Sequence, residues 1–186
     1  MSRLFDVAVA ALALAVTAPL LLAAAAAIRL ETRGAPVYRQ ARVGLHGRHF
    51  EMLKLRTMVA DAESYGDLAV TRGDARVTRV GALLRRLSLD ELPNLVNVLR
   101  GDMAIVGPRP TIPAQVDAHT DRQRRRLEVK PGITGWAQVE GRAALPWDER
   151  IELDLWYIEH RSAALDLRIL VRTLRLLVSG HGLYTK

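Results

Sequence analysis

The chain has 186 residues, with 27 Lys and Arg against 20 Asp and Glu, a formal net charge of +7 and a hydrophobic content of 49%. This length suits one globular domain and is too short for two ordinary domains joined by a linker. The hydrophobic content excludes a disordered basic tail, and the lack of cysteine excludes disulfide scaffolds, thiol nucleophiles and cysteine-bound zinc.

An apolar run without a charged residue extends from Val7 to Ile28, which is long enough for a transmembrane helix. Pro19 lies inside this run and has no N–H group to donate to the carbonyl of Ala15. The parts before and after the proline would be about 18 Å and 15 Å long as helices, each about half of a bilayer core of roughly 30 Å.

Three interpretations of this apolar run are open. A helix-break-helix that enters one leaflet and returns explains the lengths, the proline and the arginines at both ends, because positive charge favours the cytoplasmic side. A spanning helix with a kink at Pro19 is equally compatible with the sequence, since prolines are tolerated in such helices. A cleaved signal peptide is the third, although Asp6 and the length of the run are unusual for one.

The rest of the chain predicts a mainly helical body with one small β-hairpin. The hairpin covers residues 36–58 and turns at GLHG, residues 44–47. Helices are predicted over residues 58–66, 76–87, 89–100, 113–128, 146–161 and 165–179. The prolines of residues 105–113 exclude a helix there, and residues 131–142 are predicted as a loop with a short strand.

Two arginine-rich segments lie in this body. The run at residues 122–126 favours a solvated helix face over nucleic-acid binding, because no aromatic residues interleave with it for base stacking. In the last helix, Arg168, Arg172 and Arg175 share one face beside an apolar surface. That helix either lies in the plane of an anionic membrane surface or packs on the core with a solvated stripe.

Residues Ser88 to Glu91 have two interpretations. Their spacing matches a capping box, with Ser88 as N-cap and Glu91 three residues later, and spacing alone favours this structural role. The functional interpretation makes Asp90 a nucleophile, because a carboxylate at a helix N-terminus lies where backbone N–H groups also bind phosphate.

Arg109 is the second candidate site residue. It lies between Pro108 and Pro110, and the following proline favours an extended backbone at the arginine. A guanidinium is suited to bidentate contact with phosphate, although a rigid structural turn after Gly107 would use the same residues. The five histidines show no metal-binding spacing, and the sequence contains no P-loop, dinucleotide fingerprint or nucleophile-elbow serine.

Taken together and in order, these motifs resemble the bacterial sugar transferases, the monotopic phosphoglycosyl transferases that act on a polyprenyl phosphate. The resemblance covers essentially the whole chain. The features that carry it are RLFD at residues 3–6, the apolar run, PVYRQARVG at 36–44, FEMLKLRTM at 50–58, LSLDELPNLVNVLRGDMAIVGPRP at 87–110, KPGITGWAQVEGR at 130–142 and LDLRIL at 165–170.

This resemblance implies a fold and a location. Residues 1–34 would form a re-entrant membrane helix that breaks at Pro19, with both ends cytoplasmic. Residues 35–186 would form a catalytic domain on the cytoplasmic face of the bacterial inner membrane, with interfacial helices in contact with phospholipids. Ala18 stands where many relatives have serine before the proline, and Glu140 stands where relatives often have asparagine.

The resemblance also implies a ping-pong reaction with Mg²⁺. Asp90 would attack the β-phosphate of a UDP-sugar, release UMP and carry the phosphosugar until a polyprenyl phosphate takes it. Glu91 would assist, the metal would lie near Asp90, and phosphate would be bound by Arg109 and Arg85, with Pro108 and Pro110 framing the motif. The alternative is a non-catalytic, membrane-anchored basic module that binds lipid headgroups or a partner; neither interpretation involves nucleic acid.

Overall fold

The computed structural model describes residues 2–59, 74–141 and 145–179. Its helices are α1 (Arg3–Glu31), α2 (Arg79–Arg86), α3 (Asn94–Arg100), α4 (Pro113–Asp117), α5 (Asp121–Arg124), α6 (Trp136–Glu140), α7 (Trp147–Glu159) and α8 (Ala163–Ser179). Its strands are β1 (Val37–Val43), β2 (His49–Leu55), β3 (Ala104–Val106) and β4 (Gly132–Thr134). Single 3₁₀ turns cover Leu45–Gly47, Leu89–Glu91 and Arg125–Glu128. The predicted combination of a mainly helical body and a small hairpin is confirmed.

The hairpin pairs β1 and β2 in antiparallel fashion, from Val37 opposite Leu55 to Val43 opposite His49. The turn between them contains a residue with positive φ, His46 at 53°. Leu53 and Leu55 are buried on one face of β2 and Met52 on the other, so the end of this strand is covered on both faces.

Helix α1 continues through Pro19, so the predicted break into two helices at this proline is not confirmed. A proline removes one backbone hydrogen bond, and one lost bond need not end a helix whose two halves both pack on the body. Residues Ala10 and Ala24 lie in the buried stripe of the two halves, whereas Pro19 is exposed. The path of α1 through a membrane leaflet stays a prediction.

Both ends of α1 bond to the same body. Arg3 donates to two carbonyls at the end of α3, and the carboxylate of Asp6 accepts the N–H of Ile105 at 3.1 Å. At the other end, Glu31 accepts two backbone N–H groups from the first turn of α2, at 2.8 and 3.0 Å. The helix is therefore attached at its start and at its end to neighbouring parts of one unit.

Two apolar clusters form the core. The larger one joins α1, α3, β3, α7 and α8, and its buried members are Ala10, Leu95, Val98, Met103, Ile105, Val106, Tyr157, Leu165 and Ile169. The smaller one joins α1, β2 and α2 through Ala24, Ile28, Leu55 and Leu84. Helix α1 belongs to both clusters, because its first half packs in the larger one through Ala10 and its second half in the smaller one through Ala24 and Ile28.

Several element boundaries differ from the sequence predictions. The helix predicted over 89–100 is a 3₁₀ turn and then α3, because Pro93 lies between them, although the predicted end before Gly101 is confirmed. The helix predicted over 113–128 is divided into α4, α5 and a 3₁₀ turn. The short helix α6 was not predicted. Most of the helix predicted over 58–66 lies outside the described residues.

Strands β3 and β4 form a parallel pair that positions the segment after β3. Gly107 and Gly132 make this possible, because a side-chain carbon at Gly132 would lie 2.1 Å from the backbone nitrogen of Gly107. The N–H of Gly132 also donates to the carbonyl of Pro108 at 2.9 Å. The segment that contains Arg109 is thus attached to β4 through close backbone contacts. These contacts leave no room for a side chain at Gly107 or Gly132.

Gly132→Ala should therefore destabilise the protein by about 1–3 kcal/mol, the usual effect of overpacking. The thermal unfolding midpoint in detergent, measured by circular dichroism, should fall by several degrees. Gly47→Ala is the control, because Gly47 has positive φ but open space around it, so only backbone strain of about 1 kcal/mol is added. An equal or smaller loss in Gly132→Ala would contradict the close packing.

Candidate active site

Asp90 and Glu91 lie in the 3₁₀ turn between α2 and α3. Ser88 precedes this turn with a φ of 54°, one of two non-glycine residues with positive φ in the described chain. Left-handed backbone at a residue with a Cβ costs about 1–2 kcal/mol and is often found at functional sites. The sharp turn projects two adjacent carboxylates from a short connection between two packed helices.

The capping-box interpretation of this segment is wrong. The side chain of Ser88 caps no N–H group, and its left-handed backbone differs from the extended backbone of an ordinary N-cap. The carboxylate of Glu91 reaches away from the turn toward two cations that are distant in sequence. The spacing of Ser88 and Glu91 is compatible with a capping box, but the ion pairs with Lys54 and Arg109 direct the Glu91 carboxylate away from the backbone N–H that a capping box would use.

Glu91 is held by Lys54 and Arg109. Lys54 Nζ lies 3.0 Å from Glu91 Oε1, and Arg109 Nη2 lies 2.5 Å from the same oxygen. The two cations together hold the pKa of Glu91 well below its usual range despite burial. Glu91 is therefore ionised, and its charge links β2 to the Pro-Arg-Pro segment.

Asp90 has a different electrostatic environment. Burial and the neighbouring charge of Glu91 raise its pKa, and the attraction of Lys54 and Arg85 opposes that shift only in part. Within residues 2–59, 74–141 and 145–179, Asp90 forms no ion pair with a basic side chain. It is a carboxylate close to positive charge whose oxygens are not occupied by a fixed cation.

The Pro-Arg-Pro segment presents Arg109 outward from a buried frame. Pro108 and Pro110 are buried, whereas 45% of the Arg109 side chain is exposed. The attraction of Glu91 raises the pKa of Arg109, so the guanidinium keeps its charge. An exposed cation on an immobile backbone is suited to binding phosphate.

Two more arginines border the site. Arg85 Nε donates to the hydroxyl of Thr57 at 2.8 Å, and its charge opposes the rise in the pKa of Asp90. Arg42 donates to the carbonyl of Pro110 at 3.0 Å, and burial together with Arg109 lowers the pKa of Arg42 to about 10. With Lys54 and Arg109, four basic residues thus face two carboxylates, and the net positive charge favours an anionic ligand.

The structure brings the predicted residues Asp90, Glu91, Arg109 and Arg85 into one neighbourhood. It adds Arg42 and Lys54, which sequence reasoning did not assign to the site. Lys54 had a signal in the composition, because only 3 of the 27 basic residues are lysine. Its pairing with Glu91 spans 37 positions, and no local pattern shows a contact of that separation.

The carboxylates of this site could hold Mg²⁺ in one way only, through Asp90. Among the described residues there is no group of three or more His, Asp or Glu side chains arranged to hold a metal ion. Glu91 is already occupied by its two cations, which leaves Asp90 as the available carboxylate. Mg²⁺ is commonly bound by one or two carboxylates together with substrate phosphates, so Asp90 and a diphosphate would suffice.

Several arginines outside the site form ion pairs with acidic residues. Arg122 and Arg125 form ion pairs with α7, so the predicted solvated face is in part a helix contact. On α8, Arg172 pairs with Glu140 and lies over the ring of Trp136 at 5.1 Å. Arg172, one of the three arginines predicted to share a face of this helix, is therefore in contact with α6 while 41% of its side chain stays exposed.

A separate apolar surface lies on α8 and α1. The α8 residues Leu167, Val171, Leu174 and Leu177 recur every three or four positions and are 40–63% exposed. Helix α1 is the one described helix long and apolar enough to cross a membrane, and many of its residues are also exposed. Water does not favour such extended apolar surface, so these helices are suited to a lipid environment.

Comparison with known proteins shows extensive similarity. The bacterial sugar transferase family model matches residues 1–180. The chain is 45% identical over 184 residues to the sugar transferase EpsL of Bacillus subtilis, covering 98% of this chain and 90% of that protein. It is 45% identical over 190 residues to a UDP-glucose:undecaprenyl-phosphate glucose-1-phosphate transferase of Caulobacter vibrioides, covering 98% and 71% respectively.

A third relative has a different sugar in its name. It is a UDP-N-acetylgalactosamine-undecaprenyl-phosphate N-acetylgalactosaminephosphotransferase of Aeromonas hydrophila, 42% identical over 186 residues. The match covers 97% of this chain and 44% of that longer protein. The names of the Caulobacter and Aeromonas proteins therefore share the acceptor, undecaprenyl phosphate, and differ in the sugar.

Substitutions at Ser88 distinguish the observed turn from a capping box. Because the hydroxyl caps nothing, Ser88→Ala should leave the free energy of unfolding within about 0.5 kcal/mol of the wild type. Ser88→Thr keeps a hydroxyl but adds a β-branch in left-handed backbone, and should lose about 1 kcal/mol or more. A capping box predicts the opposite order in a thermal or denaturant unfolding measurement, with about 1 kcal/mol lost in the alanine variant.

Proposed function

The chain belongs to the bacterial sugar transferase family, and on this premise we propose that it transfers a sugar phosphate from a UDP-sugar to undecaprenyl phosphate, releasing UMP. The observation that carries this proposal is the pair Asp90 and Glu91, of which Glu91 is bound by two cations and Asp90 is not. A free carboxylate beside net positive charge is what attack on a diphosphate requires.

Asp90 acts as the nucleophile in this proposal. A carboxylate oxygen of Asp90 forms a bond to the β-phosphorus of the donor, and the bond from that phosphorus to the bridging oxygen breaks. UMP leaves with the bonding electrons, and the phosphosugar remains on Asp90. An oxygen of undecaprenyl phosphate then attacks the same phosphorus, and Asp90 is released as a carboxylate.

Glu91 supports this reaction by holding cations. Its pKa is lowered, so it is a poor proton donor near neutral pH, and its oxygens lie against Lys54 and Arg109. When a diphosphate enters, the exposed Arg109 guanidinium can contact phosphate oxygens as well as Glu91. This arrangement neutralises the donor and allows the negatively charged Asp90 to approach it.

Mg²⁺ is the proposed cofactor, held by Asp90 and by the donor phosphates. It would supply further neutralisation of the diphosphate charge and of the departing UMP. The basic residues then have a complementary role: Arg109 and Arg85 bind and orient phosphate while Pro108 and Pro110 keep Arg109 in place.

The location that we propose is the cytoplasmic face of the bacterial inner membrane. Because both ends of α1 bond to the same body, they belong on one side of the membrane. The exposed apolar residues of α1 and α8 would contact phospholipids, which would place residues 1–34 in one leaflet and residues 35–186 at the interface. An acceptor with a long polyprenyl chain requires an enzyme at this surface.

The alternative of a non-catalytic lipid-binding module is less favoured. Such a module would use basic residues that are free to contact headgroups, whereas Lys54 and Arg109 here pair with Glu91 beside Asp90. A carboxylate with a raised pKa also serves no purpose in binding anionic headgroups.

Asp90→Asn should abolish release of UMP from UDP-sugars because asparagine cannot form the acyl phosphate. Purified protein in nanodiscs with Mg²⁺ and a panel of UDP-sugars provides the assay, and the intact protein mass should show a phosphosugar adduct only with Asp90 present. Asp117→Asn changes an exposed carboxylate away from the site and should keep wild-type turnover. Full turnover in Asp90→Asn would exclude this residue as the nucleophile.

Cysteine labelling tests the membrane topology without background, because the chain has no cysteine. Single substitutions Ser2→Cys and Ala35→Cys should both be protected from an impermeant thiol reagent outside spheroplasts and both react in inverted vesicles. Asp117→Cys on the body serves as the cytoplasmic reference. Labelling of the two ends from opposite sides would establish a spanning helix instead.

A further inference from the structure

Arg126 and Asp154 form a buried ion pair next to the Pro-Arg-Pro segment. Arg126 lies in the last 3₁₀ turn and Asp154 in α7, and their side chains are each 3% exposed. Arg126 Nε and Nη2 both donate to Asp154 Oδ2, at 2.9 and 2.6 Å. The guanidinium also lies over the ring of Trp147, with 5.4 Å between its central carbon and the ring centroid.

The same guanidinium reaches the site. Arg126 Nη2 donates to the backbone carbonyl of Arg109 at 3.1 Å, in addition to its contact with Asp154. The flanking carbonyls are held separately, that of Pro108 by the N–H of Gly132 and that of Pro110 by Arg42. All three carbonyls of the Pro-Arg-Pro segment are therefore hydrogen-bonded, and the central one depends on Arg126.

Stability alone does not account for this buried pair. Burial raises the pKa of Asp154 to about 6 although Arg126 favours its ionised form, so desolvation outweighs the attraction. Buried ion pairs of this kind are often replaced by apolar residues without loss of stability. The same parts of the chain are also joined by surface ion pairs, such as that of Arg122 with Glu152.

We propose that Arg126 and Asp154 are positioning residues for Arg109, the phosphate-binding arginine of the proposed function on which this inference rests. Asp154 orients the planar guanidinium of Arg126, and that guanidinium fixes the carbonyl of Arg109. The fixed carbonyl sets the direction in which the exposed Arg109 side chain leaves the backbone. Neither residue touches the substrate.

The test uses the double variant Arg126→Met/Asp154→Leu, which removes both buried charges together and fills the space with apolar side chains. Its unfolding midpoint should stay close to that of the wild type, whereas kcat/KM for UMP release should fall about tenfold to a hundredfold, as expected for a displaced binding group. In an Arg109→Ala background the same double variant should cause no further loss, because the residue that it positions is absent. A merely structural role predicts equal losses in both backgrounds and would overturn the proposal.

Arg126→Lys provides a second variant if the double variant does not fold. Lysine keeps the charge opposite Asp154, but its single nitrogen does not reproduce the planar fork that contacts Asp154 and the Arg109 carbonyl. It should show the same loss in kcat/KM and the same lack of effect in the Arg109→Ala background. The control Arg122→Gln/Glu152→Gln removes an exposed pair between the same parts of the chain and should keep wild-type kinetics.

Binding of inorganic pyrophosphate separates this inference from the proposed function. Measured by calorimetry, the affinity should fall about tenfold or more in Arg126→Lys when Arg109 is present and should be unchanged by the substitution when Arg109 is alanine. If the pyrophosphate affinity changes in this way but the wild type releases no UMP from any UDP-sugar, the proposed function is rejected and the positioning role is retained. Normal UMP release with undiminished pyrophosphate affinity in Arg126→Lys would reject the positioning role alone.

Discussion

The carboxylate of Glu91 is the interaction on which the arrangement of this site depends. It attracts Lys54 from β2 and Arg109 from the segment after β3, and so joins three parts of the chain that are distant in sequence. Without this negative charge, the half-buried cations would repel one another, as the effect of Arg109 on the pKa values of Lys54 and Arg42 shows. One acidic residue thus stabilises the cation cluster, and its neighbour Asp90 is left without an ion-pair partner in the described chain.

The apolar helix α1 and the candidate site are parts of one packed unit. Helix α1 packs against α2 through Ile28 and against α3 through Ala10, and the turn with Asp90 connects those two helices. A change in the position of α1 would therefore act on both sides of the turn. In the proposed reaction between a soluble donor and a lipid acceptor, this connection would keep Asp90 at a constant height above the membrane surface.

The sequence predicted those features that depend on local patterns. The turn residues at 44–47 between two β-like segments predicted the hairpin, and Gly101 marked the end of α3, because left-handed backbone after a helix favours glycine. The features that were predicted wrongly depend on contacts between residues that are distant in sequence. The role of Glu91 depended on Lys54 and Arg109, and the burial of Arg126 depended on Asp154, which lies 28 positions away. Helix α1 includes Pro19 without interruption and packs on the body on either side of it, through Ala10 and Ala24.

Three of the arginines make contacts for which a lysine would be less suited. Arg42, Arg56 and Arg126 each use one guanidinium to join two groups: Arg42 contacts Gln40 and the Pro110 carbonyl, and Arg56 contacts two carbonyls that follow α1. A planar fork with five N–H donors makes such double contacts, which a single ammonium makes less well. At Lys54 the contact is with one carboxylate oxygen, and a compact ammonium suffices. At Arg42, Arg56 and Arg126 the residue type therefore follows from the need for two hydrogen-bonding directions.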